Sequence, residues 1–411
     1  MKRIALPLAL ILFGLLCSEA LLQLIAVASP LARERLTGTK ASAIADTELG
    51  HRGDPALREE YDEHGFRNAR RPERADIVAI GDSQTVGEGV RREDAWPQQL
   101  AALSGREVYQ FAFGGYGPGQ YRALLPEALA LRPAVVVVGW YFGNDLADAF
   151  GWAYDRPRDP DLRHPDAGER KRIAAAGRTH GRLGQAWQDT VHAKRGLLDA
   201  PLRRWLQDHV LDRSLVVSLY KRSRSVLRGP RSAGAHKSWS RIEQVTAATS
   251  PSLLFPFQSS RSDRLRTVFT PRTRLAVLDS DDPRITEGLR LSLSLLEQIA
   301  AECRGKADLR VLLIPTKELV FAAELEERRD IPAELHRVLA AEQSLRRRAA
   351  SQLERSAIAY SDALPALQAL VAQGRHPYPE DWDGHPNRIG HAAIAAVVAR
   401  ELGLPAQPIT P

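Results

Sequence analysis

The chain has 411 residues, of which 44% are hydrophobic and 26% are charged. At roughly 150 residues per domain this length fits one large domain or two ordinary ones, and the composition excludes a disordered or fibrous chain. The chain has two cysteines, too few for a disulfide scaffold, and without a CxxC motif or a Cys/His cluster a structural zinc site is not expected. The net charge is +7.

The N-terminus predicts a membrane segment. Two basic residues precede an apolar stretch, residues 4–28, that contains only three polar side chains. A helix of this length, at about 1.5 Å per residue, can cross a hydrocarbon core of roughly 30 Å. Residues 26–28 also resemble a signal-peptidase site, so cleavage before Ser29 is the alternative. The apolar run is longer than a usual signal core, and we therefore expect residues 1–29 to form an uncleaved anchor.

The next part of the chain predicts a stalk followed by an α/β domain. Residues 30–73 are polar and irregular, which is typical of a stalk and lead-in. From residue 74 to residue 149, apolar β-rich runs alternate with helical patterns, and this alternation predicts βαβ units around a parallel sheet. The predicted strands are residues 75–80, 108–113 and 134–140, and the predicted helices are residues 93–104 and 120–131.

The pattern breaks in a basic segment. Residues 151–240 contain 19 Lys/Arg and 9 Asp/Glu, a net charge of +10 that leaves −3 for the rest of the chain. We interpret residues 150–285 as a large insertion of helices and loops. It could form a basic cap that attracts anionic surfaces, or its tryptophans could fill a small core of its own. The α/β alternation resumes over residues 286–405, with predicted helices at 289–300, 333–356 and 391–402 and predicted strands at 309–315 and 357–360.

Three candidate site residues follow predicted strands, at the edge where open parallel sheets place their active sites. Ser83 ends a tight Gly-Asp-Ser turn that opens onto a helix, Gly115 lies just beyond the second strand, and Asn144 lies just beyond the third. Glycine lets a backbone N–H approach a ligand closely, and an asparagine amide can donate a hydrogen bond. Donors that converge beside a nucleophile form an oxyanion hole, although Gly115 could serve turn geometry alone and Asn144 could cap a helix.

A serine nucleophile needs a base. His385 lies just before the last predicted helix, with Asp383 two residues before it and Asp381 four residues before it. Either carboxylate could orient the histidine. Residues 315–318 follow a predicted central strand and could also point toward the site.

These motifs resemble those of the SGNH (GDSL-type) hydrolase superfamily. Gly81–Thr85 matches the first sequence block of that superfamily, Phe113–Pro118 resembles the second, Asn144–Asp145 the third and Asp383–His385 the last. The four blocks occur in the family's order, and the resemblance covers about residues 74–147 and 286–402. It leaves the insertion uncovered.

Two positions depart from the family pattern. Phe142 stands where the third block usually has glycine, with Gly143 adjacent to it. Trp382 stands where the usual DxxH spacing would place aspartate, whereas related membrane-linked acetyl-transfer proteins of the superfamily use an Asp-x-His spacing. That comparison favours Asp383 over Asp381 as the orienting acid.

The resemblance implies a fold and a set of roles. The implied fold is a flavodoxin-like three-layer α/β/α domain with a parallel sheet, here with one large insertion and an N-terminal transmembrane helix. The implied nucleophile is Ser83 and the implied base is His385, oriented by Asp383. The implied oxyanion donors are the N–H groups of Ser83 and Gly115 and the amide of Asn144. The resemblance implies no metal or organic cofactor.

We therefore expect a serine esterase, a deacetylase or another acyl-ester hydrolase, held at a bacterial cytoplasmic membrane by residues 4–28 and facing the periplasm. That location suggests an acetylated polysaccharide or a lipid-linked glycan as substrate. The alternatives are an O-acetyltransferase that modifies an exported polysaccharide and a catalytically silent glycan-binding or assembly protein of the same fold. A nucleic-acid partner is not expected, because the basic charge is scattered and no recognition motif is present.

Overall fold

A computed structural model describes residues 13–25, 43–155, 158–179, 214, 216, 239–260 and 265–404. In chain order its strands are β1 (Ala43–Asp46), β2 (Gly50–Gly53), β3 (Ile77–Gly81), β4 (Val108–Ala112), β5 (Val135–Tyr141), β6 (Phe255–Gln258), β7 (Arg266–Phe269), β8 (Asp308–Ile314) and β9 (Tyr360–Asp362). Its helices are α1 (residues 13–25), α2 (Ser83–Val86), α3 (Trp96–Ser104), α4 (Pro118–Ala130), α5 (Asp145–Tyr154), α6 (Ala167–Thr179), α7 (Trp239–Ala247), α8 (Pro271–Leu278), α9 (Pro283–Cys303), α10 (Lys317–Val320), α11 (Ala322–Glu326), α12 (Ala333–Arg355), α13 (Leu364–Ala372) and α14 (Arg388–Glu401).

The centre of the fold is a five-stranded parallel sheet with strand order β4-β3-β5-β8-β9. This is the doubly wound order of flavodoxin-like folds. Because all five strands run in the same direction, the carboxyl ends of β3, β4, β5 and β8 meet at one edge of the sheet. The predicted parallel α/β sheet is therefore present.

Alternation of side chains along the strands builds two cores. Val78 and Ile80 of β3 pack on one face of the sheet with α4, α9 and α12. Ile77 and Ala79 pack on the other face with α3, α13 and α14. Helices thus cover both faces of the sheet. This explains why the strand sequences are continuous apolar runs and not alternations of apolar and polar residues.

Residues predicted to form a stalk and lead-in pack against the sheet from residue 43 onward. Strands β1 and β2 form an antiparallel hairpin. Beyond it, the side chain of Asn68 pairs with the backbone of Gln110 in the edge strand β4, both accepting from its N–H and donating to its C=O at 3.0 Å. Phe66 beside it is fully buried. This attachment uses polar side chains, which is why the hydrophobic pattern did not predict it.

Part of the predicted insertion belongs to the same core. Strands β6 and β7 form an antiparallel hairpin, and its residues Phe257 and Phe269 pack against Phe321 beside the central sheet. Most of the basic stretch, residues 180–213 and 217–238, lies outside the described residues, so the predicted cap stays a prediction.

Among the residues that the structure describes, no helix is long and apolar enough to cross a membrane. The predicted anchor, residues 4–28, falls partly outside them. Its residues 13–25 are helical.

The predicted strands and helices around the sheet agree with the observed ones to within six residues at each end, with one exception. Residues 357–360 were predicted as a strand, but the chain turns there with Ala357 at a φ of +52°, and β9 begins only at Tyr360. Helix α13 was not predicted. It follows β9 after a single residue, Ala363, which leaves no polar loop in the sequence to mark its start.

Candidate active site

Ser83 begins the short helix α2 at the carboxyl end of β3. The carboxylate of Asp82 caps this helix by accepting a hydrogen bond from the N–H of Gln84 at 2.9 Å. The turn is tight because Gly81 has no side chain: a Cβ atom there would lie 2.1 Å from Thr85 Oγ1. The local sequence therefore places the serine at the sheet edge, where its side chain is partly exposed.

Three side chains form a continuous hydrogen-bonded row. Ser83 Oγ lies 2.9 Å from His385 Nε2. On the other side of the ring, His385 Nδ1 lies 2.6 Å from Asp383 Oδ1. Residues 302 positions apart in the chain are thus brought into the order that the sequence predicts for a nucleophile, its base and an orienting acid.

Asp383, and not Asp381, faces the histidine. Asp381 Oδ1 instead accepts a hydrogen bond from the backbone N–H of Asp383 at 2.8 Å. In the same way, Asp383 Oδ1 accepts from the backbone N–H of His385 at 3.0 Å. Two successive turns of this kind shape the loop, so Asp381 holds the backbone of Asp383 while Asp383 holds the imidazole.

The pKa values of His385 and Asp383 are shifted in the directions expected for a hydrogen-bonded histidine and carboxylate. Burial opposes charge on His385, but the hydrogen bond and charge of Asp383, followed by the charges of Glu88 and Asp82, raise its pKa above the ordinary value of 6.5. Burial also opposes charge on Asp383, but its hydrogen bonds and the charge of His385 lower the pKa of this carboxyl to about 2. A neutral imidazole that becomes more basic beside a fixed carboxylate is suited to take a proton from a serine.

The glycine-rich turn after β4 lies beside Ser83. A Cβ atom on Gly114 would be 4.0 Å from Ser83 Cβ. Gly115 has a φ of +78°, a conformation that favours glycine. His51 Nε2 lies 2.9 Å from the carbonyl oxygen of Gly114. Because the C=O and N–H of a trans peptide point in opposite directions, this contact turns the N–H of Gly115 away from His51.

Asn144 stands directly before helix α5 at the carboxyl end of β5, but its side chain makes no cap hydrogen bond to that helix. Its Nδ2 donates to Asp148 Oδ2 at 2.7 Å. A carboxylate can only accept, so this contact fixes which end of the amide faces Asp148. The Asn144 amide also interacts with Asp82: burial raises the pKa of that carboxyl, and hydrogen bonding from Asn144 opposes the shift.

Acidic side chains are buried behind this turn. Asp145 accepts hydrogen bonds from the N–H of Tyr141 and the hydroxyl of Tyr121. Burial and then the charges of Asp82 and Asp148 raise the pKa of Asp145 well above its ordinary value. Burial likewise raises the pKa of Asp82 to about 6. The side of the site behind Asn144 is therefore rich in buried carboxyl groups, and their burial disfavours the charged form.

Three polar residues near the site were not assigned a role from the sequence. His51 orients the turn at Gly114, Glu88 Oε2 lies 3.7 Å from His385 Nε2, and Lys317 lies beneath the loop that carries Asp383. Lys317 belongs to the segment 315–318, for which the sequence left a position facing the site open, and its ammonium is buried under the loop. Within the described ranges, no cluster of three or more His, Cys, Asp or Glu side chains could hold a metal ion.

No family model and no curated protein matches this sequence. Solved structures do show likeness to the chain. One is an acetylxylan esterase from Geobacillus stearothermophilus, with 11% identity over 80% of this chain and 93% of that one and a TM-score of 0.34. Another is described as a putative lipolytic protein of the G-D-S-L family from Desulfitobacterium hafniense, with 10% identity over 79% and 97% and a TM-score of 0.33. A third is an alpha/beta hydrolase from the metagenome of Lake Arreo, with 12% identity over 81% and 97% and a TM-score of 0.33.

At these TM-scores the likeness assigns no activity. The chain resembles SGNH hydrolases in the order of its four motifs. The first, second and last of these motifs meet at Ser83, and the third follows the neighbouring strand β5 at the same edge of the sheet.

Proposed function

We propose that this protein is a serine-dependent esterase that removes acyl groups, acetyl above all, from a cell-envelope or exported glycan or from a lipid-linked substrate. The observation that supports the proposal most directly is the row of hydrogen bonds from Ser83 Oγ through His385 to Asp383. A helix cap or a surface turn needs none of these three side chains in that order. A protein that only binds glycans needs neither a base on its serine nor an acid on that base.

The proposed mechanism uses this row of hydrogen bonds. His385 Nε2 takes the proton of Ser83 as the serine oxygen attacks the acyl carbonyl, and Asp383 stabilises the resulting imidazolium. The negative charge that develops on the carbonyl oxygen is stabilised by the N–H groups of Ser83 and Gly115 and by the amide of Asn144. His385 then gives its proton to the leaving alcohol. Water, activated by the same imidazole, releases the acid from the acyl-enzyme.

The cellular setting of the proposal comes from the sequence. An anchor at residues 4–28 would hold the enzyme at the bacterial cytoplasmic membrane, with the catalytic domain facing the periplasm. The +10 charge of residues 151–240 favours anionic glycan or lipid headgroups. We expect the full chain to bind an acidic polysaccharide at low salt and to release it as the Debye length falls to about 3 Å at 1 M salt. Charge reversal at Lys221, Arg222 and Arg224 should weaken that binding without altering hydrolysis of a small ester.

The test of the function uses the full chain purified in detergent. A fluorophosphonate probe should label the wild type and Ser280→Ala, an exposed serine control, but not Ser83→Ala. With a chromogenic acetyl ester, Ser83→Ala should lose about 10⁶-fold in kcat. Because Ser83 is partly exposed, removing its hydroxyl leaves no buried cavity, and the variant should unfold at the wild-type temperature. Equal labelling of wild type and Ser83→Ala would refute the proposal.

Addition of an oligosaccharide acceptor to the same assay separates hydrolysis from transfer. An esterase releases free acetate at a rate that the acceptor does not change. Formation of acetylated oligosaccharide at the expense of acetate would reassign the protein as an acyltransferase with the same acyl-enzyme.

A further inference from the structure

Lys317 is a buried cation beneath the catalytic loop. It begins helix α10 at the carboxyl end of β8, and only 1% of it is exposed. Its Nζ lies within hydrogen-bond distance of four oxygens: the carbonyls of Asp381 and Val268 at 2.9 Å, that of Asp383 at 3.0 Å and the hydroxyl of Thr267 at 3.1 Å. An ammonium has three hydrogens to donate, so all of them are directed at this cluster.

The four oxygens belong to two separate pieces of the chain. Thr267 and Val268 are in β7, whereas Asp381 and Asp383 are in the loop that ends at His385. The carbonyl of Asp381 also accepts from the N–H of Val268 at 3.2 Å and from the hydroxyl of Thr267 at 3.0 Å. Lys317 is the donor that extends this attachment two residues further, to the carbonyl of Asp383.

Burying an ammonium group costs free energy, because the charge loses its hydration. Its hydrogen-bond partners are neutral oxygens, and the charged groups around it are Glu318, Asp381, Asp383 and, with the same sign, Arg274. Burial lowers the pKa of Lys317 to about 8, and the three carboxylates oppose that shift. His376 also faces it, and burial followed by the charge of Lys317 lowers the pKa of this histidine to about 4. A neutral side chain could fill this position with a smaller loss of hydration free energy. We therefore attribute the presence of an ammonium to the hydrogen bonds that it donates to the loop.

We propose that Lys317 is a positioning residue of the Ser83 site, holding the backbone of Asp383 so that its carboxylate stays in line with His385 Nδ1. The proposal rests on the proposed function, because it assigns Lys317 a part in the same proton transfer. Lys317 does not touch the nucleophile. It acts through the loop, and the 2.6 Å contact between Asp383 and His385 is the distance it maintains.

A direct electrostatic role would have the opposite signature. If Lys317 acted only through its charge, its removal would raise the pKa of His385, because a nearby positive charge disfavours a second one. If it acts by holding Asp383 in place, its removal loosens the contact that raises the pKa of His385, and that pKa falls. The other titratable groups that interact with His385, which are Glu88, Asp82 and His391, are unchanged by the substitution. The direction of the shift therefore separates the two roles.

The experiment compares Lys317→Met with Arg284→Met in the full chain in detergent. Arg284 is also buried and charged, but its partner is Asp282 at the start of α9. Each variant is assayed with a soluble acetyl ester from pH 5 to 10, below its measured unfolding temperature. For Lys317→Met we expect kcat to fall by about 10²-fold, the cost of a displacement of about 1 Å at a reacting centre. KM should stay within about twofold of wild type, since uniform binding is not lost. The acidic limb of the kcat/KM profile should move to lower pH.

Each other result has a definite meaning. An unchanged kcat, or an acidic limb that moves to higher pH, would overturn the positioning role. Equal losses in Arg284→Met would show that any buried cation supports the fold to the same degree, and would overturn it too. If Lys317→Met does not fold, Lys317→Arg keeps a charged donor at the position and should retain more activity than Lys317→Gln of equal stability. Fluorophosphonate labelling of Ser83 in the wild type keeps the two proposals apart: absence of labelling refutes the esterase, whereas labelling of Lys317→Met at the wild-type rate refutes only the role of Lys317.

Discussion

The two sides of the Ser83 site differ in how fully their polar atoms are paired. On one side, the row from Ser83 through His385 to Asp383 has a hydrogen bond at every link. On the other side, Asn144 Oδ1 is buried and has no hydrogen-bond partner among the described residues. The first side is complete before any substrate arrives. The second has a buried polar atom whose desolvation is not offset by a hydrogen bond among those residues.

This difference suggests that the two sides have different roles in the proposed reaction. The side that we propose for proton transfer is built from adjacent residues of one loop and from one serine, so little would have to move during reaction. On the other side, the amide of Asn144 contacts the carboxyl groups of Asp148 and Asp82. Stabilisation of a transition-state oxyanion needs donors that are used there and not in the ground state. The comparison therefore predicts that substitutions on the two sides lower kcat by different amounts and for different reasons.

The largest expected effect is on the paired side. Asp383→Asn should lower kcat by about 10⁴-fold, because an amide at this place favours the wrong tautomer of the histidine. Asp381→Asn is the matched control: it keeps an oxygen that can accept from the N–H of Asp383, so its loss should be at least tenfold smaller. Steady-state kinetics with a soluble acetyl ester measure both. Equal losses, or the reverse order, would assign the orienting role to Asp381.

The next effect is on the less paired side. Asn144→Ala should lower kcat by about 10²–10³-fold with little change in KM, because its donor is needed mainly in the transition state. Asp148→Ala, which frees the amide without removing it, should cost less than Asn144→Ala. A change confined to KM in Asn144→Ala would show instead that this residue binds the substrate.

A smaller effect concerns the pH at which the base is neutral. The pKa of His385 is raised, so the proton-accepting form is lost as the pH falls through that raised value, and kcat/KM should fall with it. Glu88→Gln removes a negative charge 3.7 Å from Nε2 and should move the acidic limb to lower pH. The side chain of Glu88 is 60% exposed, and exposed pairs contribute about 0.2–1 kcal/mol, so the shift should stay below about one pH unit.

Glu107→Gln is the control for that measurement, since Glu107 precedes β4 at the opposite end of the sheet. Its profile should coincide with that of the wild type. An acidic limb that does not move in Glu88→Gln would remove Glu88 from the electrostatics of the base. If the acidic limb moves equally in both variants, the shift is caused by the change in the protein's net charge and not by the position of Glu88.

The sequence predicts these sites unequally well, for a physical reason. The Ser83 turn is set by residues within five positions of one another, and so is the loop with Asp383 and His385. Such short segments carry their geometry in their own residue types. His51 and Lys317 carry no such signal. His51 is 63 positions from the carbonyl it orients, and Lys317 is 66 positions from Asp383. Only the folded sheet brings these groups together.

The same distinction applies to the fold. Strands β3, β5 and β8 are buried on both faces and are evident as apolar runs. The segment around Asn68 attaches to β4 through an amide side chain. A polar contact of this kind leaves no periodic pattern of hydrophobic residues in the sequence. Local patterns thus predicted the strands and the turn at Ser83. They do not predict the polar contacts between distant segments that hold the turn at Gly114 and the loop of Asp383.

The smallest expected effect tests the turn on the less paired side. Gly115 has a φ of +78° and Gly305 a φ of +72°, and each should lose about 1–2 kcal/mol of unfolding free energy on substitution by alanine, the cost of a side chain in the left-handed region. A Cβ on Gly115 would meet only the ring of His51, at 3.9 Å, and one on Gly305 would meet no atom within 4 Å. Packing therefore adds little at either position, and the two losses in urea unfolding should agree. Gly115→Ala keeps its N–H, so its kcat should fall by less than the loss in Asn144→Ala, while Gly305→Ala should turn over like the wild type. If Gly115→Ala costs far more than Gly305→Ala, the turn is packed more tightly than its contacts indicate. If its kcat falls as far as that of Asn144→Ala, the position of the Gly115 N–H tolerates no adjustment, and the backbone donor is as important as the amide.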